Sequence, residues 1–327
     1  MQSETLDFGR QSGAMNLTGV PLLLCVAACG MVAALLLYGS LLLQEDLMTV
    51  GGHPGGPLSR PASPHGERGM DPRGVYILPG YASIHGQQPL RMRCGDCALI
   101  TSSGHLLGAG LGPAVDSTEC VIRMNDAPTR GYEGDVGSRT TLRVVAHSSV
   151  AHLVKHHGHL LWPGNATHPG AVVVFWGPSD RMRPGGKGPT FGLLRRLARA
   201  VPRLRAHIVT PRKMRTFDEL FRHETGKDRK SSQSWLSTGW FTMGISLDVC
   251  DRLHVYGMVP PSYCKSPAHR RVPYHYYEPA GADECSMYIW HERGRRGSHH
   301  RFLTEKRVFG RWARAYNITF SHPAWHE

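Results

Sequence analysis

Residues 20–43 read VPLLLCVAACGMVAALLLYGSLLL and contain no charged side chain; uncharged sequence reaches back to Gln11. A bilayer core takes about 20 apolar residues as a helix, and this run supplies them. A cleaved signal peptide has an apolar core of about 7–15 residues behind a basic start. This run is longer, and no basic start precedes it, so an uncleaved anchor is expected. Glu4, Asp7 and Arg10 flank it on one side and Glu45 and Asp46 on the other. That balance shows no excess of positive charge and leaves orientation open. Asn165-Ala166-Thr167 and Asn317-Ile318-Thr319 are acceptor triplets for N-glycosylation if the carboxy-terminal part is lumenal.

After the run the composition shifts. Residues 44–92 include GGHPGGPLSRPASPHGERGMDPRG, rich in Gly, Pro and Ser and without an apolar period. Such a stretch buries too little surface to offset its ordering entropy and is expected to be a stem. From Cys94 onward the pattern is globular. Short apolar runs at 97–102, 142–147, 171–176, 205–210 and 253–258 read as buried strands. Phe191, Leu194, Leu197 and Val201 recur at helical spacing. So do Met214, Phe217, Leu220 and Phe221, then Trp240, Met243, Leu247 and Cys250, and finally Val308, Phe309 and Trp312. Strands alternating with helices predict an α/β domain, with a mainly parallel sheet covered by helices on both faces. Ligands of such sheets sit at the carboxyl ends of the strands.

The 327 residues carry 38 Lys and Arg against 25 Asp and Glu, a formal charge of +13. A basic surface suits an anionic partner, although a solvated basic face is the simpler reading. The basic residues are scattered and follow an anchor, which disfavours nucleic acid. Of eight cysteines, Cys25 and Cys29 lie in the apolar run. The other six can pair in 15 ways, and spacing does not choose among them. Cys94-Gly95-Asp96-Cys97 could also be half of a zinc site, but a second close pair is missing. Disulfides are the better reading for a lumenal domain.

Four segments could carry chemistry. In CALITSSGHLLGAGLGPAVDSTECVIRMN a strand runs into Ser102-Ser103-Gly104, whose amides could face a phosphate, and a second strand ends in Asn125. Two ordinary strand ends with polar turns would account for the same residues. In WLSTGWFTM, Ser237-Thr238-Gly239 precedes a helix, as either a plain N-cap or an anion site. VPYHYYEP brings Tyr274 and His275 together. SHHRFLTEKRVF contains His300 and Glu305, which alone would pass for surface residues near a helix start.

In this order and at this spacing, the four segments resemble the large, small, third and very small sialylmotifs of the eukaryotic sialyltransferases. The likeness covers about residues 93–325. ETGKDRKSSQSWLSTGWFTM, VYGMVPPSYC and HERGRRGSHHRF are similar to the alpha-N-acetylgalactosaminide alpha-2,6-sialyltransferases, members three to six, the fifth above all. The resemblance implies a variant glycosyltransferase-A (Rossmann-like) fold in one catalytic domain, residues 93–327. It also implies a type II layout in the Golgi membrane, with a cytoplasmic tail at 1–19, the anchor at 20–43 and a lumenal enzyme.

The resemblance further implies CMP-sialic acid as donor and no cofactor or metal; the chain contains no Asp-x-Asp. It implies inverting transfer to the 6-hydroxyl of GalNAc in Sia-alpha2,3-Gal-beta1,3-GalNAc, on gangliosides or O-glycans. Another acceptor specificity, or a glycan-binding protein without activity, are the alternatives; a homodimer is left open. Residue by residue, the likeness makes His300 the general base and His275 the group at the leaving phosphate. Ser102, Ser103, Asn125, Ser237, Thr238, Gly239 and Tyr274 become donor contacts, and Glu305 an orienting residue. Many relatives have Asn-Ser-Gly where this chain has Ser102-Ser103-Gly104. The family bridge maps onto Cys97–Cys250; Cys264–Cys285 and Cys94–Cys120 are assigned to the remaining four.

Overall fold

The computed structural model describes residues 69–86, 88–162, 170–182, 189–294 and 299–325. The apolar run, the stem up to residue 68 and the Asn165 triplet lie outside them. Among the described residues no helix is long and apolar enough to cross a membrane.

Seven parallel strands form the centre: β4 (Cys94–Ile100), β5 (Cys120–Met124), β6 (Leu142–Ala146), β7 (Val172–Trp176), β8 (Ala206–Val209), β9 (Cys250–Tyr256) and β10 (Ile318–His322). Their spatial order is β8-β7-β6-β5-β4-β9-β10. The chain winds outward from β4 to β8 and then returns to the other side of β4. That reversal opens a crevice at the carboxyl ends of β4, β5 and β9, where ligands of such sheets bind. β5, β6 and β7 are buried at every position, which explains their near-continuous apolar reading.

One departure concerns the expected stem. Three strands precede β4: β1 (Gly69–Met70), β2 (Tyr76–Ser83) and β3 (Pro89–Arg91). β2 pairs antiparallel with β8, matching Tyr81 to Val209. The globular part therefore begins near residue 69, not 93. Tyr76, Leu78, Tyr81 and Leu90 are buried, and the Tyr76 hydroxyl donates to Asp251 at 2.7 Å. The Gly and Pro of this stretch hid the apolar period of YILPGYAS.

Helices cover both faces. The chain adds α1 (Gly112–Ser117), α2 (Glu133–Val136), α3 (Val150–His156), α4 (Ser179–Met182), α5 (Pro189–Ala200), α6 (Pro211–Thr225), α7 (Thr238–Val249), α8 (Glu284–Arg293) and α9 (Phe302–Ala315). Alternate strand residues supply opposite faces: Val172, Val174 and Trp176 share one core with α6, α7 and α9, while Val173 and Phe175 share another with α5, and a third gathers Ala98, Ile100, Val121 and Tyr276. α7 is buried from Trp240 to Val249, as a helix apolar on all sides must be. A Cβ on its Gly244 would lie 2.4 Å from Phe217, so glycine is what lets α6 approach.

Three disulfides close: Cys94–Cys120, Cys97–Cys250 and Cys264–Cys285. The first two tie β4 to both neighbours at the edge away from the crevice. Both members of Cys94-x-x-Cys97 are oxidised, which removes the zinc alternative. Cys250, expected at a helix end, is the first residue of β9. Asn317 is exposed, just before β10.

Candidate active site

At the carboxyl ends of the strands lies a cavity of about 580 Å³. Ser102, Ser103, Asn125, Ser237, Thr238, Gly239, Tyr274, His275, His300 and Glu305 all line it. Four segments spread over some 200 residues of chain thus meet in one place.

The loop after β4 and the segment around His275 are laced together. Gly104 N–H donates to Pro273 O at 3.0 Å, and Tyr276 N–H to Ser102 O at 2.8 Å. A Cβ on Gly104 would stand 2.6 Å from Pro273, so only glycine allows this approach. Ser103 Oγ accepts from His105 N–H at 3.1 Å, capping its own turn. Asn125 has a left-handed φ of 45°, a conformation asparagine tolerates better than most residues. Its Oδ1 accepts from Ala146 N–H at 3.0 Å, and its carbonyl accepts from buried Arg143 at 2.8 Å. The side-chain nitrogen takes no part in these bonds.

The start of α7 is equally committed. Ser237 Oγ accepts from Trp240 N–H at 3.0 Å and donates to the Glu305 carboxylate. Glu305 also accepts from Ser237 N–H at 3.0 Å. The caps leave Thr238 and Gly239 N–H at the positive end of a 12-residue helix, a site suited to an anion. Glu305 is fully buried, and burial raises its carboxyl to about 7 against the lowering effect of Ser237.

His300 Nδ1 bonds the Trp235 carbonyl at 2.9 Å. A carbonyl only accepts, so Nδ1 carries the proton and Nε2 has the lone pair. Burial pushes this imidazole below its ordinary pKa, with the Trp235 carbonyl opposing and His299 adding to the shift. His300 N–H donates to His291 Nδ1 at 3.1 Å, and the two rings stack. Burial drives His291 down to about 4, so it stays neutral and able to accept. Glu292 accepts from Leu303 and Thr304 N–H at 3.0 and 3.2 Å, fastening α8 to the start of α9 next to His300. His275 is oriented in a similar way: its Nδ1 meets Glu278 at 2.9 Å and its ring stacks on Tyr277. Burial raises the Tyr274 phenol, which therefore remains a donor.

The family model for glycosyltransferase family 29 (sialyltransferase) matches residues 77–312. Alpha-N-acetylgalactosaminide alpha-2,6-sialyltransferase 6 of Bos taurus is 54% identical over 250 residues, covering 76% of this chain and 74% of its own length. The chain belongs to glycosyltransferase family 29, the sialyltransferases. The human alpha-N-acetyl-neuraminyl-2,3-beta-galactosyl-1,3-N-acetyl-galactosaminide alpha-2,6-sialyltransferase is 46% identical over 263 residues, or 80% of this chain and 85% of its own. Alpha-N-acetylgalactosaminide alpha-2,6-sialyltransferase 3 of Mus musculus is 43% identical, with coverage of 75% and 79%.

Several cavity groups of this sialyltransferase escaped the sequence reading. Arg181, on α4, adds a cation to the wall. His147 follows β6, and burial lowers its pKa. Lys306 is 4% exposed and its Nζ has no hydrogen-bond partner. That Nζ sits 3.8 Å above the Tyr288 ring, and burial lowers it to about 8, against the pull of Glu284. Glu278 could have been found, three residues after His275 in the same motif.

Proposed function

We propose that this enzyme transfers sialic acid from CMP-sialic acid to the 6-hydroxyl of GalNAc in Sia-alpha2,3-Gal-beta1,3-GalNAc glycans, with inversion. The observation that carries the reading is the meeting of His300, His275 and the amino terminus of α7 in one cavity. His300 Nε2 takes the proton of the acceptor hydroxyl as its oxygen attacks C2 of sialic acid. The C2–O bond to CMP breaks on the opposite face, and the electron pair leaves with the phosphate. His275 and the Thr238 and Gly239 amides stabilise that charge, which grows most in the transition state. A depressed imidazole pKa keeps the base neutral in a mildly acidic compartment. Catalysis needs no metal in this scheme, and our reading makes the enzyme a type II protein of the Golgi membrane.

The acceptor reading rests on relatives whose names specify alpha-2,6 transfer to N-acetylgalactosaminide, one of them with a neuraminyl-2,3-galactosyl substituent. Incubating the full chain with CMP-sialic acid and a panel of acceptors tests it. The panel holds a sialylated Gal-GalNAc ganglioside, the matching O-glycan and GalNAc-Ser. Linkage analysis should find new alpha-2,6 sialic acid on GalNAc of the sialylated acceptors. GalNAc-Ser as the best acceptor, or an alpha-2,3 product, would overturn it.

A further inference from the structure

Outside the catalytic cavity, five titratable side chains gather on one surface. Asp126 follows Asn125 in the turn after β5. His152 and His156 occupy successive turns of α3, and His157 and His159 follow it. Asp126 Oδ2 lies 2.9 Å from His152 Nδ1 and 3.8 Å from His157 Nε2. One ligand atom from each of these three residues falls within 4.8 Å of the others.

We propose that Asp126, His152 and His157 form a binding site for a divalent ion of the zinc class. A tetrahedral zinc ion with bonds of about 2.0–2.1 Å needs its ligand atoms roughly 3.4 Å apart. Two of the separations already bracket that value, and both histidine side chains are exposed enough to swing. Two imidazoles and one carboxylate select zinc over calcium or magnesium, which prefer all-oxygen shells. The ring of His156 stands 4.8 Å from that of His152. Their i, i+4 spacing puts both on one face of the helix, but the residues whose ligand atoms lie within 4.8 Å of one another are Asp126, His152 and His157. None of the three core ligands lines the catalytic cavity, but their neighbours Asn125 and Ser149 do. The ion would clasp α3 to the turn that carries Asn125 and so brace one wall of that cavity. This site plays no part in the transfer step.

The test uses the full chain in detergent micelles, stripped with a chelator, and titrated with zinc chloride by calorimetry. One zinc ion per chain should bind in the micromolar range or tighter, with magnesium and calcium at least a hundredfold weaker. His152→Ala and His157→Ala should each weaken zinc at least tenfold, and His223→Ala, on distant α6, should not. Asp126→Asn is the milder third variant, and circular dichroism checks that each variant folds. Cobalt should give the visible absorption of a tetrahedral nitrogen and oxygen site, lost in the His152 variant. Unchanged zinc affinity in all three variants, or magnesium binding as tightly as zinc, would overturn the site and leave an ordinary His152–Asp126 ion pair. Either outcome leaves the transferase reading untouched, because that is read from acceptor products.

Discussion

Replacing Ser237 by alanine removes two functions at once. Its hydroxyl caps α7 through Trp240 N–H and donates to the buried Glu305 carboxylate. Loss of a serine cap costs about 1 kcal/mol, and a hydrogen bond to a charged buried group contributes about 1.5–3 kcal/mol. Ser237→Ala should therefore destabilise the domain by about 2.5–4 kcal/mol. Glu305→Gln keeps an oxygen for Ser237 N–H, but turns an amide NH₂ toward a hydroxyl that needs an acceptor. In that background the charged bond is already gone, and Ser237→Ala should cost only the cap, about 1 kcal/mol. The double-mutant cycle thus predicts a coupling of about 1.5–3 kcal/mol, in the range seen for side chains in direct contact. Urea unfolding followed by circular dichroism at pH 8, above the value near 7 at which Glu305 titrates, measures it. CMP affinity should fall in both single variants, since both loosen the Thr238 and Gly239 amides. Additivity within about 0.5 kcal/mol would refute the reasoning.

His300→Ala should lower transfer by about 10²–10⁴-fold, the usual worth of a general base, with CMP affinity within about threefold in calorimetry; lost CMP binding would make His300 a structural residue. The base must be unprotonated and its pKa is depressed, so the acid-side midpoint of kcat/KM should fall below the ordinary imidazole value of about 6.5; a midpoint above that value would contradict this. His207 and His291 are both held near 4 by burial, so the folded chain binds fewer protons than the unfolded one and stability should drop as pH falls from about 6.5 toward 4. Glu305 works in the opposite sense between about 7 and 4.5, but one raised carboxyl stands against four lowered imidazoles, His147 and His300 among them, and thermal melts across that range should show a net loss. Gly104→Ala should cost about 1–3 kcal/mol of stability by overpacking and weaken CMP binding, because the new methyl pushes the Ser102–Gly104 turn off Pro273.

The sheet was legible wherever both of its faces are covered. β7 is buried throughout and its sequence VVVFW is an unbroken apolar run, while β5 and β6 are equally buried but each is interrupted by one buried arginine, Arg123 and Arg143. α6 was legible for a different reason: Thr210 caps it and Gly226, in the left-handed conformation, ends it, around a regular apolar stripe. β2 escaped because Pro79 and Gly80 interrupt it and two of its four buried positions, Tyr76 and Tyr81, are tyrosines with polar tips. The catalytic cavity was legible only through resemblance. Ser103 and Ser237 spend side-chain atoms on capping their own turns, and Asn125 on the end of the neighbouring strand; nothing in their spacing says that three distant turns will share a wall.

Glu305 and Lys306 show where physical reading could have gone further. Val308, Phe309 and Trp312 are the buried stripe of α9, and Glu305 precedes them by three, four and seven residues. That is the spacing of the stripe itself, so a carboxylate there must be buried and must find donors. Its donors are the backbone and side chain of Ser237, at the start of another helix and 68 residues earlier. The requirement for a partner was in the sequence; the partner's identity was not, because only the packing of α9 across α7 brings them together. Lys306 follows Glu305 on α9 and is also buried. Its ammonium ends over a tyrosine ring with no hydrogen-bond acceptor. Next to an arginine in a run of mixed charges, that lysine reads as a surface residue, and no local rule separates it from one. Burial of a cation in the wall of this cavity is a property of the assembled fold, and it appears only when four segments of chain have closed around it.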